Sequence, residues 1–219
     1  MKKLPSVSSA RGCFCAQNSS VDDVLVLVRH GESELNRRNC LVGRLDPELT
    51  DRGEEQARQA GKTLGPVTTL ISSPLSRTRR TAELLGLEVP LHIDERVIEI
   101  DYGDLDGTPL DVVDPKLWEQ WFRDPDFAPA NGESLATLSQ RVTPLLEELF
   151  ASPGEGARSR EGDVVIVSHV SPIKAAVAWA LGTDPLLAWR LRLSTGSITR
   201  IAYGPQGPQL TGFNELPGE

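Results

Sequence analysis

Histidine and cysteine are scarce in this 219-residue chain, three of each, and it holds one methionine and two tyrosines. The cysteines, Cys13, Cys15 and Cys40, are odd in number, and no second Cys/His pair completes a zinc site beside them. No two of His30, His92 and His169 have metal-ligand spacing, which excludes a zinc hydrolase built on them. Nothing else in the sequence asks for a metal or a cofactor. No stretch approaches the ~20 apolar residues of a membrane span. Lys2 and Lys3 are followed by LPSVSSARGCFCAQNSS, not by an apolar segment, which argues against a secretory signal. A reducing, cytoplasmic setting is therefore the expectation. Basic side chains are outnumbered 23 to 31, for a formal charge of −8. That balance excludes a general polyanion-binding surface for nucleic acid or an anionic membrane.

Against this plain background one segment stands out. Residues 24–36 read VLVLVRHGESELN, an apolar run that stops at Arg29-His30-Gly31. Such a run forms a strand buried on both faces of an α/β protein. Open α/β sheets bind ligands at the carboxyl ends of their strands. Glycine at that point lets the backbone turn sharply and a ligand approach closely. A second apolar run, 164–168, also ends in a histidine, His169, with Pro172 where the first turn of a helix would be. If both strands lie centrally in a parallel sheet, both imidazoles emerge at one edge and flank one pocket.

The rest of the chain supports an α/β reading. Residues 1–22 are Ser-rich and without periodicity, a disordered or flexible arm. Residues 23–219 are then one domain. Thr50 reads as the cap of a helix through 53–61, 69–72 as a short strand, and Pro74 as the start of a helix stopped by Gly86. Residues 89–93 are extended, 99–108 a Gly- and Asp-rich loop, and 117–123 a short helix carrying Trp118 and Trp121. Residues 134–150 carry a helical stripe that Pro144 should kink. A polar loop spans 152–163, and closing strands fall at 197–203 and 210–213. Strands alternating with helices predict an α/β/α sandwich with a mostly parallel central sheet.

Residues 29–36, RHGESELN, resemble the opening signature of the histidine phosphatase superfamily, the phosphoglycerate mutase-like family, and the resemblance extends from 24 to about 214. Residues 72–82, SSPLSRTRRTA, resemble the family's S-x-L-x-R-A-x-x-T-A segment, which implies Arg77 as a phosphate ligand, with Thr78 where alanine is usual. Residues 97–107, VIEIDYGDLDG, resemble L-x-E-x-x-x-G-x-x-x-G and imply Glu99 as proton donor, ahead of Asp101 and Asp104. The segment SHVSPIK at 168–174 matches the second histidine motif but has Val170 and Ser171 where H-G-G-x-I-R has glycines. GRLDPELT at 43–50 and NGES at 131–134 are supporting likenesses. The resemblance thus implies a catalytic group of His30, Glu99, His169, Arg29 and Arg77. Gly31, Asn36, Gly43, Tyr102 and Val170 would add substrate contacts. Arg79 and Arg80 are expected in solvent. Trp118, Trp121 and Phe122 are either an apolar lid or core.

Together these features imply a metal-independent phosphomonoesterase for small phosphorylated metabolites, similar to α-ribazole phosphatase-like and acid phosphatase-like members. His30, kept neutral by Arg29 and Arg77, would form a phosphohistidine. A cofactor-dependent phosphoglycerate mutase and a non-catalytic phospho-ligand scaffold are the alternatives. Mutases of this family usually carry a longer insertion with paired basic residues, whereas 103–130 here is short and acidic, with Lys116 and Arg123 its only cations. A monomer or homodimer is expected.

Overall fold

The computed structural model describes residues 24–151, 162–204 and 206–218. The expected arm at 1–22, with Cys13 and Cys15, and most of the polar loop at 152–163 lie outside the described residues. Strands β1 (Val24–Arg29), β2 (Val67–Ser72), β3 (Leu91–Ile93) and β4 (Asp163–Ser168) run parallel, with a one-turn helix α1 (Glu34–Arg37) after β1. Strands β5 (Ile198–Gly204) and β6 (Gly207–Glu215) join antiparallel, and the order is β3-β2-β4-β1-β5-β6.

The unbroken apolar runs of β1 and β4 have a simple cause. Leu25, Leu27, Val164 and Ile166 face one core with α5 (Leu135–Phe150) and α6 (Val170–Ala180). Val26, Val28, Val165 and Val167 face the other, against α2 (Asp51–Lys62) and α3 (Ser76–Leu84) through Ala60 and Ala82. Alternation is hidden when both faces are covered. The result is the expected three-layer α/β/α sandwich. Among the described residues no helix is long and apolar enough to cross a membrane.

Several boundaries differ from expectation. Helix α3 begins at Ser76 and not at Pro74, because Leu75 is still extended (φ −69°, ψ 143°) and the Ser76 N–H donates to Asp46 Oδ2 at 2.8 Å. Helix α4 (Pro115–Trp121) starts early, where Asp114 caps the Lys116 N–H and Pro115 fills the first turn. Pro144 sits inside α5 without ending it. The predicted cap Thr50 accepts from Gly53 N–H, and Ser134 caps α5 by accepting from Thr137 N–H.

The chain leaves β1 toward β2 and β3 but leaves β4 toward β5 and β6. Between the carboxyl ends of β1 and β4 lies the crevice where such sheets bind ligands. The register pairs Arg29 with Ser168, so His30 and His169 leave the sheet side by side. Just beyond β1 the main chain passes the first turn of α2 at closest contact. A Cβ on Gly31 would stand 2.0 Å from the Gly53 carbonyl oxygen, and one on Gly53 would stand 2.1 Å from the Glu32 carbonyl oxygen.

Candidate active site

The two imidazoles are buried edge to face, their centroids 5.1 Å apart. His30 Nδ1 lies 2.7 Å from the Gly31 carbonyl oxygen, which can only accept, so Nδ1 carries the proton and Nε2 keeps its lone pair. His169 Nε2 lies 2.8 Å from Ser73 Oγ, leaving Nδ1 buried without a partner. Ser73 is anchored at the end of β2 by its N–H to the Val167 carbonyl.

Two arginines adjoin this pair. Arg29 donates Nη1 to the Leu193 carbonyl at 2.7 Å, and its Nε is buried and unpaired. Arg77 is fully buried, donating Nη1 to the Leu45 carbonyl at 2.6 Å and Nη2 to the Gly43 carbonyl at 2.8 Å, with its Nε again unpaired. Burial, then the charges of Arg77 and Arg29, hold His30 well below the usual histidine range. Burial, Arg77, His30 and Arg29 do the same to His169. Burial pushes Arg29 down to about 10, against the pull of Glu99, which leaves it charged at neutral pH. Each unpaired buried donor costs about 1–3 kcal/mol, more if charged. The two arginine Nε donors beside an unprotonated Nε2 suit an acceptor-rich anion.

Glu99 sits between the loop and the start of α6. Its Oε1 accepts from Ile100 N–H (2.8 Å) and Ser171 N–H (3.1 Å), and its Oε2 accepts from Val170 N–H (3.0 Å). Oε2, with one bond, has a lone pair open for a proton. Arg141 braces this residue from behind by donating to the Glu99 and Arg96 carbonyls, and Glu133 holds Arg141 at 2.8 Å.

A cavity of about 280 Å³ opens above Arg29, His30 and Glu99. Asn36 and Tyr102 line it. Asn36 gives its Oδ1 to the Ser33 N–H and hydroxyl, so its amide nitrogen is what it can offer a ligand. Burial holds the Tyr102 phenol above its ordinary range, and its hydroxyl bonds Ser171. His169 and Arg77, both fully buried, lie outside the lining, His169 packed against His30.

Three residues expected to contact substrate have backbone polar groups engaged within the protein. Gly31 donates its N–H to Thr81 Oγ1 and gives its carbonyl to His30, so it shapes the nucleophile and has no donor left for a ligand. Gly43 sits under Arg77, where a Cβ would meet the Ile100 carbonyl at 2.9 Å. Val170 lines the cavity, but its N–H is engaged by Glu99. Asp101 caps Gly103 N–H and Asp104 accepts from Asn131, both away from the cavity. Phe122 is 52% exposed and stacks on Trp118, while Trp118 and the buried Trp121 line the cavity wall, so only part of the expected lid faces it. Arg80 pairs with Glu54 and Glu83 in solvent.

Sequence reasoning missed Trp189, which reaches the wall from the 3₁₀ turn Pro185–Arg190, and Ser73 as the partner of His169. Ser73 was visible within SSPLSR; nothing periodic marks Trp189. Among the described residues no group of three or more His, Cys, Asp or Glu is placed to hold a metal.

A family model described as histidine phosphatase superfamily (branch 1) matches residues 25–216. The 2,3-bisphosphoglycerate-dependent phosphoglycerate mutase of Azorhizobium caulinodans is 34% identical over 191 residues, covering 81% of this chain and 90% of that protein. Mycobacterial glucosyl-3-phosphoglycerate phosphatase, solved with VO3, superposes with a TM-score of 0.80 at 30% identity, over 88% of this chain and 99% of the other. The alpha-ribazole phosphatase of Shigella flexneri superposes with a TM-score of 0.74 at 26% identity, over 88% and 96% of the two chains.

Proposed function

The chain belongs to branch 1 of the histidine phosphatase superfamily, and from that premise we propose that it is a metal-independent phosphomonoesterase for small phosphorylated metabolites, working through a phosphohistidine on His30. The observation that carries this reading is the state of His30: Nδ1 is committed to the Gly31 carbonyl, Nε2 is free, and the buried guanidinium groups of Arg29 and Arg77, each with an unpaired Nε, stand beside it. Nε2 attacks phosphorus in line and the bond to the alcohol oxygen breaks. Glu99 Oε2 gives its proton to the departing alkoxide. Water, losing a proton to Glu99, then attacks the phosphohistidine and releases phosphate.

Phosphoryl transfer depends mainly on positioning and charge. Fixed donors such as Arg29, Arg77 and His169 are each worth about 2.7–4 kcal/mol in comparable sites, and a placed acid adds on the order of 10²–10⁴ in rate. Hydrolysis is favoured over exchange by the wall. Helix α4 and the 185–190 turn line the cavity with Trp118, Trp121 and Trp189, and supply no paired basic residues to that lining.

The test is phosphate release, with excess EDTA, from p-nitrophenyl phosphate, 3-phosphoglycerate, a sugar phosphate and α-ribazole phosphate. Interconversion of the phosphoglycerates primed by bisphosphate is followed alongside. Release that survives the chelator is expected. Exchange without net release would make it a mutase, and activity only on added metal would remove the phosphohistidine scheme.

A further inference from the structure

Arg77 owes its orientation to a loop. Its Nη2 and Nη1 donate to the carbonyls of Gly43 and Leu45 at 2.8 and 2.6 Å, while Asp46 Oδ1 stands farther off, 3.5 Å from Nη1. The N–H groups of the same two residues go the other way. Gly43 N–H donates to Asp106 Oδ1 and Leu45 N–H to Asp106 Oδ2, each at 2.7 Å. Residues 43–45 are thus a main-chain bridge with a carboxylate on one side and a guanidinium on the other. Asp106 is itself held in place. Gly107 N–H donates to the Leu41 carbonyl at 2.9 Å and Leu41 N–H to the Thr108 carbonyl at 2.8 Å, which sets 106–108 beside 41–43. Gly107 has φ +81°, and a Cβ there would meet Leu45 Cδ1 at 2.8 Å, so the two segments lie close.

A guanidinium serves an anion best when its planar fork is already turned toward the oxygens. Two of the N–H groups of Arg77 are spent on the loop, and its Nε stays buried and unpaired. Turning the Gly43 and Leu45 carbonyls would therefore turn the fork. What fixes those carbonyls is the engagement of the N–H groups on the same two residues, and hydrogen bonds joined in a chain strengthen one another. A carboxylate suits position 106 because both of its oxygens accept. An amide there presents one oxygen and one NH2, so one of the two N–H groups would face a donor.

We infer that Asp106 is a positioning residue for Arg77: through the peptide groups of residues 43–45 it holds the guanidinium fork toward an anion bound beside His30. That the anion is a phosphoryl group in transfer rests on the phosphomonoesterase reading; the brace on Arg77 does not.

A double-mutant cycle tests it. Asp106→Asn is made in the wild type and in Arg77→Lys, which keeps the charge but has no fork to orient. With Arg77 present, kcat/KM for p-nitrophenyl phosphate should fall about 10²-fold, the loss that a displacement of about 1 Å in a positioned group produces. When Arg77 is already Lys, the further loss should stay within about 2-fold. Losses that agree within about 2-fold in the two backgrounds would make Asp106 a support of the loop alone and overturn the inference. A wild-type background that tolerates Asp106→Asn without loss would overturn it too. Inorganic phosphate is titrated calorimetrically into the same four proteins, which reads anion affinity without turnover and should show the same dependence on Arg77. The cycle is run also with Asp106→Glu, which keeps both acceptors one methylene farther out. It should show a smaller loss with the same dependence, and it carries the test if the amide variant does not fold. An Arg77-dependent loss of phosphate affinity, with no ester hydrolysed by the wild type, would sink the phosphatase reading and leave the positioning role. Hydrolysis by the wild type with equal losses in both backgrounds would sink the positioning role alone.

Discussion

In the polar cluster around His30, the side chains of Arg29, Arg77, His30 and His169 are each tied to a carbonyl or hydroxyl oxygen, whereas along the cavity wall Trp118, Trp121 and Trp189 hold one another. The ring centroids are 5.4 Å apart for Trp118–Trp121 and 5.9 Å for Trp121–Trp189, with Phe122 5.1 Å from Trp189 on the outside. Hydrogen bonds to main chain fix direction as well as distance, while ring packing answers to volume and shape. The polar cluster keeps buried charged donors unpaired and so gives up stability for chemistry. The wall buries apolar area and contributes stability. The two ends should therefore fail in different ways.

The sharpest separation comes from His30→Ala. Loss of a nucleophile in a comparable covalent mechanism lowers kcat on the order of 10⁶-fold. Phosphate release should vanish, and no acid-labile phosphoprotein should form on rapid quench. Retained labelling would move the nucleophile elsewhere.

Next in size is Glu99→Gln. With alkyl phosphates the loss should be about 10²–10⁴ in kcat, and with p-nitrophenyl phosphate, whose leaving group needs no proton, far smaller. Equal losses on both would mean that Glu99 positions and does not donate.

The wall inverts the pattern. Trp121 is fully buried and touches Tyr102, Trp118, Phe127 and Trp189. Replacing it by alanine should cost about 3–5 kcal/mol in urea unfolding, more than any stability change at His30. A variant as stable as wild type would show that the aromatic group holds itself without its centre.

The smallest effect is a pH dependence of stability. His30 and His169 stay neutral in the fold but protonate in the unfolded chain as pH falls below about 6.5. Protons then favour the unfolded state. The contribution of the pair is fully present above about pH 7 and is lost at up to about 2.7 kcal/mol per pH unit below about 6, until the fold itself protonates. Urea unfolding at pH 5, 6 and 7 should show the slope, and His30→Asn should roughly halve it. An unchanged slope in that variant would assign it to other groups.

The sequence made parts of this molecule legible and hid others for a common reason. The strands before His30 and His169, the cap at Thr50, and the alternation of strands with helices that implies three layers are patterns of the sequence, and the structure has them. His30, Arg29 and Glu99 could be nominated together because they sit in two short motifs, and one cavity gathers them. What hydrogen bonds do across the fold was not readable. Gly31, Gly43 and Val170 stood in the right motifs, yet their polar groups serve Thr81, Arg77 and Glu99. Trp189 carries no signal in its own segment, because only the packing of the 185–190 turn beside α4 gives it neighbours.

The meeting of Gly31 and Gly53 bears on how such a chain can diverge. Each glycine is confined by a main-chain oxygen and not by the other's missing side chain. Shrinking one cannot make room for enlarging the other. The pair therefore leaves no compensating exchange, and a lineage that alters either position has to redraw the path from β1 into its first helix. Covariation between these two sites should be absent for that reason: neither has an alternative to trade.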